Sequence, residues 1–280
     1  MRLHIDTDFG DNPDDACALA MVLGWPGAEI TAVTTAADPD GRRAGEVERF
    51  LGLLGAHDIP VASGGAWARP LLEHSIDAGA ALVALGPYTN LADLARVHPR
   101  ALERVAVFTM GGWVDAFGDG YPAWGPERDR NVQRDTDAAR ALFDSAADLT
   151  LVPCASAVAA CLRTTDLPRL SASGPAGALL ARQVSTHGQD HGYSDLGRGH
   201  AALPDDLVTV LWDPVTCAAA LGWTGASVHE ERLRPEQDAG LLRFVRDPSG
   251  RRTRVLDPVD GDALVAVWLS AVEAAQRLAP

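Results

Sequence analysis

The sequence predicts an α/β fold: a doubly wound, mostly parallel sheet flanked by helices. Three observations carry this reading. Short β-like runs alternate with helical patterns through the first half of the chain. The first helical pattern opens on Asp14-Asp15 and closes on Gly24, ordinary start and stop signals. No repeat, low-complexity tract or linker divides the 280 residues, so residues 1–280 read as a single domain.

Taken in order, residues 2–6 (RLHID) read as a strand and 14–24 as a helix. AEITAVTT, 28–35, is a second strand, rich in β-branched residues. Residues 41–55 are helical, and ALVALG, 81–86, is a strand. A helix over 89–97, a strand over 104–112 with a glycine stop, a helix over 135–146 and a strand over 148–153 follow. The second half is less regular. Residues 170–205, rich in Ser, Gly, His and Asp, read as a helix plus exposed loop. Gly188 and Gly192 speak against a helix around His187 and His191, which leaves both as loop residues. A helix spans 214–222, short strands lie within 226–257 around a turn at Asp247-Pro248-Ser249-Gly250, and a last helix covers 260–277. Right-handed crossovers bring parallel strand ends to one side, and ligands of such sheets bind beyond the carboxyl ends.

Composition excludes several functions. The formal net charge is −14 with no basic stripe, which argues against a nucleic-acid partner. All 24 basic residues are arginine. Without lysine there is no Schiff base, no pyridoxal phosphate anchor and no Walker A loop. No run approaches the roughly 18 apolar residues of a membrane span. The opening MRLHIDTDFGD is not an export signal, so a cytoplasmic location is expected. Cys17, Cys154, Cys161 and Cys217 form no CxxC pair and read as small, buried, reduced side chains.

The most informative segment is Asp6-Thr7-Asp8-Phe9-Gly10-Asp11-Asn12-Pro13-Asp14-Asp15. Five aspartates in ten residues, between a strand and a helix, repel one another unless a cation neutralises them. Oxygen-only ligands select a hard ion, Ca²⁺ or Mg²⁺. A further acid, Asp213, follows the apolar run 207–211 and opens a helix ahead of Pro214. Alone it reads as a helix cap. The Gly86-Pro87 turn after the 81–86 strand exposes a backbone carbonyl, another hard-cation ligand.

Together these pieces resemble the inosine-uridine-preferring nucleoside hydrolase family. Its D-x-D-x-G-x-D-D opening reads DTDFGDNPDD here, with two extra residues before the Asp pair. Its VTT, G-x-x-T-N and Met-Gly-Gly segments are similar to Val33-Thr34-Thr35, Gly86-Pro87-Tyr88-Thr89-Asn90 and Met110-Gly111-Gly112. Its E-F-N, V-P and late H-D-P resemble Asp129-Arg130-Asn131, Val152-Pro153 and Trp212-Asp213-Pro214. The match runs in order over residues 2–222. The resemblance implies a nucleoside hydrolase-like fold, hydrolysis of ribonucleosides to base and ribose, and a bound Ca²⁺. The implied calcium ligands are Asp8, Asp15, Asp213 and the carbonyl of Leu85. Asp8 would also take a proton from the attacking water, and Asp14, Asn131 and Asp129 would hold ribose hydroxyls. It further implies a homodimer or homotetramer.

The departures bear on specificity. Trp212 stands where many members carry the histidine that protonates the leaving base. A purine-preferring branch has tryptophan there and stacks the base between indoles, which points to purine nucleosides. Trp67, Trp113 or Trp124 could supply the second ring, with Trp113 favoured because it follows Met110-Gly111-Gly112 directly. Asp129 replaces the family's glutamate, and Cys154-Ala155-Ser156-Ala157 replaces its polar Leu-Asp-Val-Thr. Alternatives are an N-glycosidase for another ribosyl compound, a non-catalytic Ca²⁺- or ribose-binding relative, and a Mg²⁺-dependent phosphatase using Asp6 or Asp8.

Overall fold

The computed structural model describes residues 1–278. The chain begins with β1 (Arg2–Thr7), α1 (Asp14–Gly24), β2 (Glu29–Thr35) and α2 (Arg42–Leu53), followed by β3 (Val61–Ser63) and α3 (Ala68–Asp77). Then come β4 (Ala81–Ala84), α4 (Thr89–Val97), β5 (Ala106–Met110), α5 (Arg130–Arg134), α6 (Thr136–Asp144) and β6 (Asp148–Val152). The middle carries α7 (Cys154–Ala157), β7 (Cys161–Arg163), α8 (Leu167–Ala172), α9 (Pro175–Asp190) and α10 (Tyr193–Gly199). It closes with β8 (Leu207–Val210), α11 (Trp212–Ala220), β9 (Val228–Asp238), β10 (Leu241–Arg246), β11 (Arg251–Leu256) and α12 (Gly261–Leu278).

Nine strands form one sheet in the order β10-β9-β11-β6-β5-β4-β1-β2-β3. From β3 across to β11 the pairing is parallel, and β9 and β10 extend the edge as antiparallel strands. A second, two-stranded sheet pairs β7 with β8. The chain runs outward from β1 through β2 to β3, then returns to place β4 on the other side of β1. The crevice between the carboxyl ends of β1 and β4 is therefore the point where the winding reverses, the place such sheets bind ligands.

α1 is buried over almost its whole length because the sheet and other helices enclose it. Such a helix needs apolar residues on every side, and DDACALAMVLG supplies them after its first two acids. The α1–α12 contact is close: a Cβ on Gly24 would lie 1.8 Å from the carbonyl oxygen of Ala271. Trp268 of α12 is fully buried and its indole N–H donates to the Cys17 carbonyl at 3.0 Å.

Three sequence expectations need correction. β3 and α3 fall in a stretch that gave no element; Pro70 obscured a helix whose Ala68, Leu72, Ser75 and Ile76 face inward. Proline is tolerated there because it lies in the first turn. Residues 170–205 are mostly helical, as α9 and α10, and His187 lies within α9. Gly188 is not a helix breaker but a close approach: a Cβ there would meet the Val208 carbonyl oxygen at 2.2 Å. The helix expected from 214 starts at Trp212, so Asp213 sits inside its first turn. Among the described residues, no helix is long and apolar enough to cross a membrane, and all four cysteines are buried.

Candidate active site

A cavity opens at the β1–β4 crevice, lined by Asp8, Asp11, Asn12, Asp14, Asp15, Leu85, Met110, Arg128, Asp129, Arg130, Asn131, Arg134, Cys154, His187, His191, Tyr193, Trp212 and Asp213. Of the residues expected from sequence, Asp8, Asp14, Asp15, Leu85, Asp129, Asn131, Trp212 and Asp213 are brought together here. Trp113 is the exception. Its ring packs edge-on against Phe117 at 5.5 Å, Phe117 packs against Trp124 at 5.1 Å, and Trp113 does not line the cavity. A stacking role for Trp113 is thereby removed. Trp67 is 74 % exposed and lies outside it as well.

The floor is anionic. Asp14 and Asp15 open α1, Asp213 opens α11, and one carboxylate oxygen from each lies within 4.8 Å of the other two. All three side chains are buried. Burial pushes Asp14 up to about 7, with Asp8 adding like-charge repulsion. Burial and the neighbouring carboxylates drive Asp15 and Asp213 well above the usual range. The Thr7 hydroxyl donates to Asp15, which orients that carboxylate. Three buried acids with oxygen donors only, raising one another's proton affinity, form a donor set suited to a hard divalent cation.

Asp8 stands beside this triad, outside the 4.8 Å group. Gly86 makes room for it: a Cβ on Gly86 would sit 2.7 Å from the Asp8 amide nitrogen. Arg134 donates to Asp8 Oδ2. Burial raises the Asp8 carboxyl, while Arg134 and then Arg43 pull the other way. Arg43 donates to the carbonyls of Asp8 and Phe9 and pairs with Asp11 at 2.9 Å. The inserted loop is thus held at Asp11 by a pair of guanidinium groups. Sequence reasoning missed Arg43 and Arg134; the available signal was Arg134 three residues beyond Asn131, on one face of α5.

Asn131 donates to the Leu85 carbonyl at 2.7 Å and the Met110 carbonyl at 3.1 Å, tying the ends of β4 and β5 together. Asp129 is 2 % exposed. Its Oδ2 accepts from the Gly112 and Trp113 amides at 2.7 and 3.0 Å, and its Oδ1 from Val132 at 3.4 Å. Burial pushes it up to about 6. Gly111, at φ +124, has no side chain to collide with Asp129 Oδ1 or the Tyr88 hydroxyl.

Beneath the loop lies a buried polar chain. Asp6 Oδ1 accepts from Thr34 at 2.6 Å and Asn90 at 2.7 Å, and the Thr34 hydroxyl meets His4 Nε2 at 2.9 Å. His4 Nδ1 lies 2.9 Å from Ser75, and Thr31 donates to Ser75 at 2.8 Å. These bonds lock the end of β1 to β2, α3 and α4, and so fix where Asp8 emerges.

The opposite wall is helical and rich in donors. His187 and His191 stack at 4.0 Å, with Tyr193 beside them. Burial, then His191 and Arg130, push His187 down to about 4. The Arg128 guanidinium lies 4.5 Å from the Trp124 ring centroid and 5.8 Å from that of Trp212.

Residues 73–265 match the family model of the inosine-uridine preferring nucleoside hydrolases. The chain is 27 % identical to the pyrimidine-specific ribonucleoside hydrolase RihA of Citrobacter koseri, over 76 % of this chain and 79 % of that one. It is 29 % identical to the RihA of Klebsiella pneumoniae over the same shares. The purine-preferring ribonucleoside hydrolase from Gardnerella vaginalis superposes with a TM-score of 0.83 at 18 % identity, covering 99 % of this chain and 100 % of that one. The chain belongs to the inosine-uridine preferring nucleoside hydrolase family and is a hydrolase acting on N-glycosyl compounds.

Proposed function

We propose that the protein is a calcium-dependent hydrolase that cleaves purine ribonucleosides to free base and ribose. The observation that carries this is the buried Asp14, Asp15 and Asp213 triad at the foot of a cavity walled by Trp212. When bound, calcium supplies charge neutralisation and makes water a better nucleophile near neutral pH. Asp15, Asp213, Asp8 and the Leu85 carbonyl would hold it.

The side chains then divide the work. Asp14 and the Asn131 Oδ1 accept hydrogen bonds from ribose hydroxyls, since both Asn131 N–H groups are given to the Leu85 and Met110 carbonyls, and Asp129 has an Oδ1 lone pair left for another. Asp8 accepts the proton of the attacking water through Oδ1, because Oδ2 is engaged by Arg134. Cleavage builds positive charge on the sugar ring, and the surrounding carboxylates stabilise it. Trp212 offers an indole face to the base.

Pyrimidine preference is the second reading, favoured by the pyrimidine specificity of the RihA relatives. The test is reducing-sugar release from purine and pyrimidine nucleosides, with and without a calcium chelator, for wild type and Asp8→Ala. Release from inosine, adenosine or guanosine that is lost on chelation and in the variant supports the proposal. Release from uridine or cytidine alone keeps the hydrolase and rejects the purine assignment.

A further inference from the structure

Breaking an N-glycosidic bond leaves the bonding electron pair on the base. A base that departs as an anion is a poor leaving group, and a positioned acid that hands it a proton lowers the barrier. With ribose held by Asp14, Asp129 and Asn131 at the acidic floor, the base extends toward the opposite wall, built from the end of α9 and the start of α10. Few groups on that side can release a proton. Arg128 and Arg130 stay charged throughout. Burial drives the Cys154 thiol well above its ordinary value. A phenol, as on Tyr193, is by nature a far weaker acid than an imidazolium. His187 is pushed down to about 4 by burial, then by His191 and Arg130, so near neutral pH it carries no acidic proton. His191 is left.

The geometry of His191 suits the task. It caps the C-terminus of α9 and is exposed at the mouth of the cavity. Carbonyls in the last turn of a helix carry partial negative charge that suits a cationic ring. Its Nδ1 lies 2.8 Å from the His187 carbonyl oxygen. A carbonyl only accepts, so Nδ1 keeps its hydrogen whether the ring is neutral or charged. Nε2 is therefore the nitrogen that gains and loses the acidic proton. The ring also stacks on that of His187, with centroids 4.0 Å apart. It is thus fixed by one edge and one face. The charged groups around the pair are Arg182 and Asp190 on α9, Asp11 on the loop before α1, and Arg128 and Arg130 across the mouth. Asp11 is already paired with Arg43 and Arg134.

We propose that His191 is the general acid of this site and delivers its Nε2 proton to the departing base. This rests on the purine-hydrolase reading above, with N7 as the accepting atom. As the C1′–N9 bond breaks, its electron pair passes into the purine ring and N7 takes the proton from His191. A water oxygen bonds to C1′ and its proton goes to Asp8. The base leaves neutral, and solvent at the mouth returns a proton to His191.

The experiment compares inosine with p-nitrophenyl β-D-ribofuranoside, whose nitrophenolate departs without a proton. H191N keeps an N–H for the His187 carbonyl and cannot carry the acidic proton. It should lose about 10²–10⁴-fold in kcat on inosine, the usual share of a general acid, and little on the nitrophenyl riboside. Turnover of the nitrophenyl riboside also reports a folded enzyme. The alkaline limb of the wild-type pH profile on inosine should vanish in H191N and persist in H187N, which removes the stacked ring but no acid. Equal losses on both substrates, unchanged turnover of inosine in H191N, or an alkaline limb lost in H187N instead overturns the role of His191 and leaves the purine hydrolase standing. Wild type that cleaves uridine but not inosine overturns the purine reading and proton transfer to N7 together.

Discussion

Asp8 has neighbours that pull its carboxylate in opposite directions: burial raises its proton affinity and Arg134 lowers it. In the proposed role it must be ionised before water attacks. Asp8→Asn should lower kcat for ribose release by roughly 10²–10⁴-fold with an unchanged far-UV spectrum. His4 reports on stability instead. Its ring is fully buried, and burial lowers it from 6.5 to about 3. The unfolded chain takes up this proton near 6.5, the folded chain only near 3. The contribution is therefore complete above about 6.5 and is lost as pH falls, at up to roughly 1.4 kcal/mol per pH unit. The buried Asp14 and Asp129 carboxyls, pushed up to about 7 and about 6, act with the opposite sign in the same window. The readout is therefore a difference: the stability that wild type holds over His4→Asn in urea unfolding should shrink from pH 7 to pH 5. Much of the site's composition was legible because the Asp8–Asp15 cluster is local and its residue types are restrictive. Arg134 and Arg128 were not legible, because arginines abound and only the fold shows which ones face the acids. Trp113 misled because its neighbour in sequence, Gly112, and the aromatic cluster turn its ring the other way.

Elements whose burial matches their periodicity were read closely: α1 spans Asp14–Gly24, the range its acids and glycine marked. Failure came where glycine serves packing rather than turning. In α9, Gly188 lets the helix rest on the Val208 carbonyl, and in α10 a Cβ on Gly197 would meet the Pro204 carbonyl at 2.2 Å. Both glycines are helical residues in contact with backbone that is distant or looped in sequence, so no local pattern announces them. Gly188→Ala should force α9 off β8 and cost about 1–3 kcal/mol, seen as a lower urea midpoint. An exposed helical glycine replaced by alanine would gain stability instead, so the sign of the change decides between packing and propensity.

At the scale of the molecule, α12 returns to cover α1, and the Trp268 indole reaches the Cys17 carbonyl across most of the chain. We propose on this basis that residues 1–280 fold as one domain. Urea unfolding followed by tryptophan fluorescence and by far-UV circular dichroism should then give one coincident transition. Trp268→Ala should cost about 3–5 kcal/mol without splitting it. Calcium addition should raise the Tm and a chelator should reverse that, because a ligand bound only to the native state stabilises it by mass action. Asp213→Asn should abolish the response.

The two ends of the Asp triad lie far apart in the chain, on α1 and α11, and meet only once the winding reversal at β1–β4 is complete. A cation finds its full set of oxygens only where both helices are docked, and we expect that docking to fall on the native side of the folding barrier. Its effect should fall on the rate of opening rather than of closing. Stopped-flow traces in added calcium should show an unfolding arm that slows while the refolding arm stays put, so that the ion acts as a latch on a finished structure.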